Sequence, residues 1–401
     1  SAAVANMKTK AINRKQGTAI VRACDKILAG KYIDQFVVDM INSGAGTAFN
    51  MNSNEVITNV ALKGLGKKQG QYQFLHPNDH VNMSQSSNDT YPTAMHMAIL
   101  FSFGEMLPTI NKLIKSINKK AKQFSKYKKL GRTHLMDALP VTLGSEFAAY
   151  ATSLTNARNQ IISSQKELEQ VALGGTAVGT GANTPRGYRK IAIIELSKVS
   201  KLSLKPQKDM QYALQSKFPV ANASSALKNF AIELGKVAND IRLMASGPIA
   251  GLAELGIPAV HAGSSIMPGK VNPSLAECMN MICFSVIGND TTVSFAAQAG
   301  QFELNVMLPG MLKAVLDSTD MLTNFLPIFS ANLIEGLTAN QIRLRENIEN
   351  SPVIVTLLTP KIGYLKSADL FKESLKTGKT IRELVISKKL MTDKEVNVLL
   401  G

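Results

Sequence analysis

The sequence predicts a mainly all-α protein. Two observations carry that reading: long stretches in which apolar residues recur at spacings of three and four, and small residues interspersed along them. Together they describe long amphipathic helices that pack as a bundle. In chain order, Ile110, Leu113, Ile114, Ile117, Ala121 and Phe124 form one helical face. Lys112, Lys115, Lys119, Lys122 and Lys126 lie away from it and read as its solvated side. Residues 143–171 show the same periodicity. From 223 to 245 the stripe runs through Ala223, Leu227, Phe230, Ala231, Leu234, Val237, Ala238, Ile241 and Met244. Another helix is expected to start near Pro273, whose fixed φ suits a first turn, and to continue through Leu275, Met279, Ile282 and Val286. Residues 304–329 complete the set. Met267, Met279 and Met281 read as core filler. Beyond about 346 the pattern shortens. Pro352 and Pro360 break it, helices are expected at 367–377 and 380–387, and Thr392 with Glu395 three residues on reads as a helix cap. The organisation expected is 1–86, an N-terminal domain; 87–342, a central bundle; and 343–401, a small C-terminal helical domain.

Composition narrows the function classes. The chain has 401 residues, 45% of them hydrophobic and 18% charged, enough for about two or three domains and a large core. No uninterrupted apolar run reaches the roughly 18 residues of a membrane span, and SAAVANMKTK lacks the charged head and apolar core of a signal peptide. Cys24, Cys278 and Cys283 form neither a paired framework nor a zinc spacing, so reduced thiols in a cytoplasmic protein are expected, with no metal. The net charge of +16 raises nucleic-acid binding. The lysines are spread out and few aromatics lie among them, which argues against it. The charge is suited instead to drawing in an acidic small molecule.

The most informative segment is Gly263-Ser264-Ser265-Ile266-Met267-Pro268-Gly269-Lys270-Val271-Asn272-Pro273. Its glycines and prolines exclude a regular helix or central strand. It reads as a loop that brings a hydroxyl, a cation and an amide to one place, the set needed to hold a carboxylate and remove a proton beside it. The string resembles the signature loop of the aspartase/fumarase superfamily. Four more segments are similar to that family and occur in its order: Gly44–Asn52, Ser84–Asp89, Gly131–Leu135 and Gly174–Gly181. Taken singly, Ser86–Asn88 would cap a helix and His134 would be structural. Gly174–Gly181 lacks the order and strand context of a dinucleotide fingerprint.

The resemblance spans nearly the whole chain. It implies a three-domain lyase fold in a homotetramer whose central bundle takes helices from all four chains, with each site built from three subunits. It implies no metal or organic cofactor, no nucleic acid and no membrane partner. Within it, the first serine of the signature, Ser264, is the base. Thr47, Ser86 and Ser87 fit as donors to an aci-carboxylate, and Lys270 and Asn272 as a clamp on the other carboxylate. His134 is the second catalytic candidate, its imidazole placed with Asn88 and Thr133 at the amino group or nearby carboxylate oxygens, and Ser265 completes the substrate-binding set. The family includes aspartate ammonia-lyases, class II fumarases and non-catalytic crystallins. Ile287–Val293, Gly300–Met307 and His261-Ala262-Gly263 resemble aspartases; His76–Asp79 and Ser86–Asn88 resemble fumarases. Deamination of aspartate is the expected reaction, with malate/fumarate hydration the alternative and a degenerate relative the third case. Ile249 stands where the family usually has arginine.

Overall fold

A computed structural model describes the chain throughout except Ala262, Ser265, Gly401 and the side chain of Leu400. The elements run α1 (Ala2–Lys8), α2 (Arg14–Leu28), α3 (Thr47–Gly64), α4 (Ser87–Gln123), β1 (Lys128–Thr133), β2 (Met136–Thr142), α5 (Leu143–Leu168), β3 (Gln170–Val171), α6 (Tyr188–Ser200), β4 (Lys205–Pro206), α7 (Met210–Gln215) and α8 (Phe218–Met244). There follow β5 (Leu255–Gly256), α9 (Ser274–Gln298), α10 (Leu308–Asn332), β6 (Thr338–Ala339), α11 (Gln341–Asn350), α12 (Thr359–Ile362), α13 (Tyr364–Thr377), α14 (Ile381–Ser387) and α15 (Asp393–Leu400). β1 and β2 form an antiparallel hairpin, β3 and β4 a short parallel pair, β5 and β6 a short antiparallel one.

The chain divides into two compact units that interleave in sequence. The first comprises Ser1–Pro108, Ala157–Ile232 and Ile282–Thr323; the second comprises Thr109–Asn156, Glu233–Met281 and Asn324–Gly401. Each of α4, α5, α8, α9 and α10 contributes a stretch to both. In the first unit, Ile12, Ile20, Val56, Val60, Leu62 and Leu75 form a local core, while Met95, Ile99, Phe103, Leu227 and Phe230 seal the long helices. In the second, Ile110, Leu113, Ile114, Ile117, Ala121 and Phe124 are all buried, as the periodicity requires. Lys112, Lys115, Lys119 and Lys122 are exposed on the same helix; Lys126, expected in that row, lies beyond its end. A separate cluster at the C-terminus gathers Leu130, Ile354, Leu358, Leu370, Ile381, Leu384 and Val385. Its helices begin with capping boxes: Thr380 with Glu383, and Thr392 with Glu395. Such a cap contributes about 1 kcal/mol. These clusters at the two ends support the division 1–86, 87–342 and 343–401, which we retain as a proposal.

Several boundaries differ from expectation for identifiable reasons. α5 stops at Leu168 because Gln170 and Val171 leave to pair with Lys205 and Pro206. α10 begins at Leu308 rather than 304. The buried Asn305 donates to Ala296 O and Ala297 O, both at 3.0 Å, and accepts from Met307 N at 2.9 Å, so residues 301–306 form a turn tied to the end of α9. α8 starts earlier than 223, at Phe218, whose N–H is capped by Ser216 Oγ at 3.2 Å. Of the three methionines read as core, only Met279 is buried; Met267 and Met281 are exposed. α4 is long and apolar enough by length and composition to cross a membrane, with a mean hydropathy of 1.2 over its most apolar window. Its Met95, Ile99 and Phe103 are nonetheless sealed in protein, the pattern of a core helix.

Candidate active site

The expected site residues form two groups, each within one unit. Thr47, Ser86, Ser87 and Asn88 belong to the first. Gly46 enters α3 with φ +69°, and a Cβ there would overlap the Tyr91 ring, so only glycine lets the chain turn here. Thr47, at the first turn of α3, donates to Gly44 O at 3.1 Å and meets Ser87 Oγ at 3.3 Å. Ser87 opens α4. Two helix N-termini therefore arrive with their hydroxyls in contact, and the positive ends of both dipoles favour an anion there. Ser86 is the cap: its Oγ accepts from Asn88 N at 3.2 Å, and its own N–H is taken by Asp89 Oδ1 at 3.0 Å. Asn88 Nδ2 donates to Ala177 O at 2.9 Å, tying the Gly174–Gly181 segment to the start of α4.

The second group sits on two loops. Thr133 and His134 lie at the tip of the β1–β2 hairpin. His134 and Leu135 form its two-residue turn with φ of +56° and +60°, the positive pair a type I′ turn demands. Both side chains are exposed, as are Leu135 and Met136. The hairpin is anchored by a buried ion cluster. Lys129 Nζ lies 2.9 Å from both Glu146 Oε2 and Glu254 Oε2, and Arg132 Nη2 donates to Glu254 Oε1 at 2.7 Å. Burial pushes the Glu254 carboxyl up, but Arg132 and Lys129 outweigh it and hold it below its usual range.

The signature loop makes its own support. Ser264 Oγ accepts from Met267 N at 3.0 Å and from Ile266 N at 3.3 Å. Gly263 packs so closely on Lys270 O that any Cβ would overlap it, and Asn272 Nδ2 closes the loop onto Gly263 O at 3.4 Å. His261 Nε2 meets Ser274 Oγ at 2.7 Å just outside. Lys270 is exposed and, with Gly247, Pro248, Ala253 and Asn340, lines a cavity of about 590 Å³. Ile249 is exposed nearby in sequence. Ser265 lies outside the described residues.

Periodicity and motif spacing did not single out three buried charges: Asp89, Lys129 and Glu254. Asp89 sits inside a recognised segment, where a capping box is the only local hint of its role. No sequence spacing connects Lys129 with Glu254.

A helical bundle that brings hydroxyls together at two helix starts, and that holds a serine oxygen with backbone N–H donors, has the outline of a lyase acting on carboxylates. The chain belongs to the lyase family whose model matches residues 1–288, and a fumarase C C-terminus model matches 354–401. It is 44% identical over 401 residues to the aspartate ammonia-lyase of Bacillus subtilis, covering 100% of this chain and 84% of that one. Against the aspartate ammonia-lyase of Escherichia coli it is 43% identical over 398 residues, covering 99% and 83%. Among solved structures it is similar to the class II fumarase of Schistosoma mansoni, with 35% identity, TM-score 0.96 and coverage of 100% and 87%. A Brucella melitensis protein described as fumarate lyase:delta crystallin gives 42% identity, TM-score 0.96 and coverage of 100% and 86%.

Proposed function

We propose that this protein is an aspartate ammonia-lyase, a carbon–nitrogen lyase that reversibly eliminates ammonia from L-aspartate to give fumarate. The substrate choice rests on the full-length likeness to aspartate ammonia-lyases. The observation that carries the chemistry is Ser264 Oγ with two backbone N–H groups directed at it. An alkoxide at that oxygen gains two charge-assisted hydrogen bonds, each contributing about 1.5–3 kcal/mol.

Ser264 takes the proton from the substrate carbon beside the side-chain carboxylate. The electron pair moves into that carboxylate, which becomes a doubly charged aci-carboxylate. Thr47, Ser86 and Ser87, at two helix starts, supply the donors for it. The pair then returns to form the carbon–carbon double bond as ammonia leaves, and Ser264 later releases its proton. Lys270, with Asn272 and Ser265, clamps the second carboxylate. Asn88, Thr133 and His134 serve the amino group and the remaining oxygens.

The active form is a cytoplasmic homotetramer. The face of α9 through Phe284, Gly288, Thr291, Thr292 and Phe295 supports self-association: all five are exposed, at spacings of three and four. Phe284 and Phe295 are 63% and 65% exposed. The one charged residue in this stretch, Asp290, is buried against Lys228 Nζ at 2.7 Å and Ser224 Oγ at 2.8 Å. An uncharged aromatic stripe of this kind needs a partner helix. Class II fumarase activity is the second reading, favoured by serine at both Ser86 and Ser87. Fumarate absorbance from L-aspartate compared with that from L-malate separates the two. Faster malate turnover moves the assignment to fumarase, and no turnover of either leaves a non-catalytic relative.

A further inference from the structure

Asp89 is completely buried, yet both of its carboxylate oxygens are in use. Oδ1 accepts from Ser86 N at 3.0 Å, closing the cap of α4. Oδ2 accepts from Gly174 N at 3.0 Å and Thr176 N at 2.8 Å, in the turn beyond β3. That turn has two backbone hydrogen bonds of its own, Gly175 N to Ala172 O and Gly181 N to Gly175 O, each at 3.0 Å, but its conformation is a costly one. Gly174 has φ +88° and Thr176 φ +58°, so two of its residues are left-handed and one of them carries a side chain, a conformation that persists only when its surroundings impose it. Asn88 Nδ2 reaches the same segment at Ala177 O, and Arg189 Nε and Nη2 donate to Gly174 O, each at 3.3 Å.

We propose that Asp89 is a positioning residue for the carboxylate-binding end of the site, whose side chain locks the Gly174–Thr176 turn to the start of α4 and so fixes Ser86, Ser87 and Asn88. The proposal rests on the reading of those three residues as substrate contacts. Its chemical core is that the two carboxyl oxygens accept from three backbone N–H donors in two separate segments. Thr176 Oγ1 and Tyr188 Oη are buried without a hydrogen-bond partner among the described residues, so neither shares the Gly174 and Thr176 N–H groups with Asp89.

Burial pushes the Asp89 carboxyl up to about 6, against the pull of the backbone N–H groups. The titratable group facing it is Tyr188 of α6, whose phenol is itself raised by burial and then by Asp89; the Arg189 guanidinium of the same helix is held on Gly174 O. The sign is informative. A folded-state carboxyl above its unfolded value favours the fold in its protonated form, and that contribution is full below about 4 and lost as pH rises to about 6. At neutral pH the ionised carboxylate therefore works against global stability while ordering the site, the pattern of a residue kept for function.

The test uses the full-length protein and Asp89→Asn. Two quantities are followed between about pH 5 and 8: kcat/KM for L-aspartate, and hydrogen exchange of peptides spanning 172–181, corrected for intrinsic rates. For the unsubstituted protein, the Gly174 and Thr176 amides should be protected at pH 7 and should keep that protection as pH falls to about 5, because protonating a carboxyl raised by burial does not favour opening. In Asp89→Asn the amides should exchange fast at every pH. KM should rise with a smaller change in kcat. A variant with the original KM and protection overturns the proposal. Exchange in the unsubstituted protein decides the case even where the variant fails to fold: Gly174 and Thr176 amides that exchange as fast as an unstructured peptide at pH 7 also overturn it. Where neither aspartate nor malate turns over, the functional reading fails by itself and the exchange result still judges Asp89.

Discussion

The start of α4, in the first unit, and the signature loop, in the second, both carry proposed site residues but are built in opposite ways. Ser86–Asp89 is half-buried to buried, wired to Gly174, Thr176 and Ala177, and backed by two helix termini. The 263–273 loop is largely exposed and leans on its own backbone: Ser264 on Ile266 and Met267, Asn272 on Gly263. In the proposed site, the first region offers donors that are in place before substrate arrives. The second carries the proposed base, Ser264, and the exposed Lys270 on a segment with little core packing, which is where low local stability is expected. The proposed roles thus fall on parts of different stiffness, and substitutions should respond accordingly.

The sharpest break in the comparison is Ser264→Ala. It removes the base and leaves the preformed end intact. The turnover number should drop by roughly two to four orders of magnitude with KM little changed; near-normal turnover by fumarate absorbance would take Ser264 out of the mechanism. Lys270→Ala removes a clamp and no proton acceptor. Substrate binding should weaken by about 1.5–3 kcal/mol, read as KM, and a loss confined to kcat would contradict the clamp. Both variants should melt like the parent, since the loop adds little to the core.

A glycine pair asks the same question through stability. Gly46→Ala places a methyl in the Tyr91 ring at φ +69°, and should cost about 3 kcal/mol or more together with activity. Gly269→Ala, at φ +81° with open space around it, should cost only about 1 kcal/mol. Equal losses in thermal or denaturant unfolding would erase the difference drawn between the two regions.

A stabilising substitution tests how much cost the stiff unit tolerates. Lys217 is buried, its ammonium donates to Ala213 O at 2.6 Å, and burial lowers it to about 7. His96, buried nearby with Nδ1 on Leu168 O at 3.1 Å, is lowered to about 4 by burial first and by Lys217 second. A lysine lowered in the fold disfavours folding as pH drops from about 10.5 to about 7, and fully so below that. Lys217→Met should therefore stabilise the protein by on the order of 2 kcal/mol at pH 7, with the gain fading towards pH 10. Destabilisation at pH 7 would mean that Lys217 is held by a charge interaction stronger than its desolvation.

Much of this was legible in the chain. The α4 face at Ile110–Phe124 buries as its spacing requires, because a 3.6-residue period acts locally. Ser264, Lys270 and Asn272 were legible as one loop because glycine and proline punctuate it at short range. The β1–β2 hairpin was not, since Lys128–Thr133 has no alternating pattern and its turn is His134-Leu135 rather than an Asn-Gly pair. The start of α10 was hidden for a similar reason: Asn305 takes its partners from the end of α9, a preference no window around 304 contains.

The sequence by itself determined the long central helices and the signature loop, because periodicity, capping and backbone freedom are properties of neighbouring residues, and the resemblance of its five motif segments to a known family implied the reaction. Only the tertiary structure decided which residues hold those motifs in place. Asp89 acquires its role from Gly174 and Thr176, and Lys129 from Glu146 and Glu254, through contacts between segments far apart in the chain. A charge becomes a positioning group when folding removes water and supplies donors in its place, and nothing local in a sequence records which donors those will be.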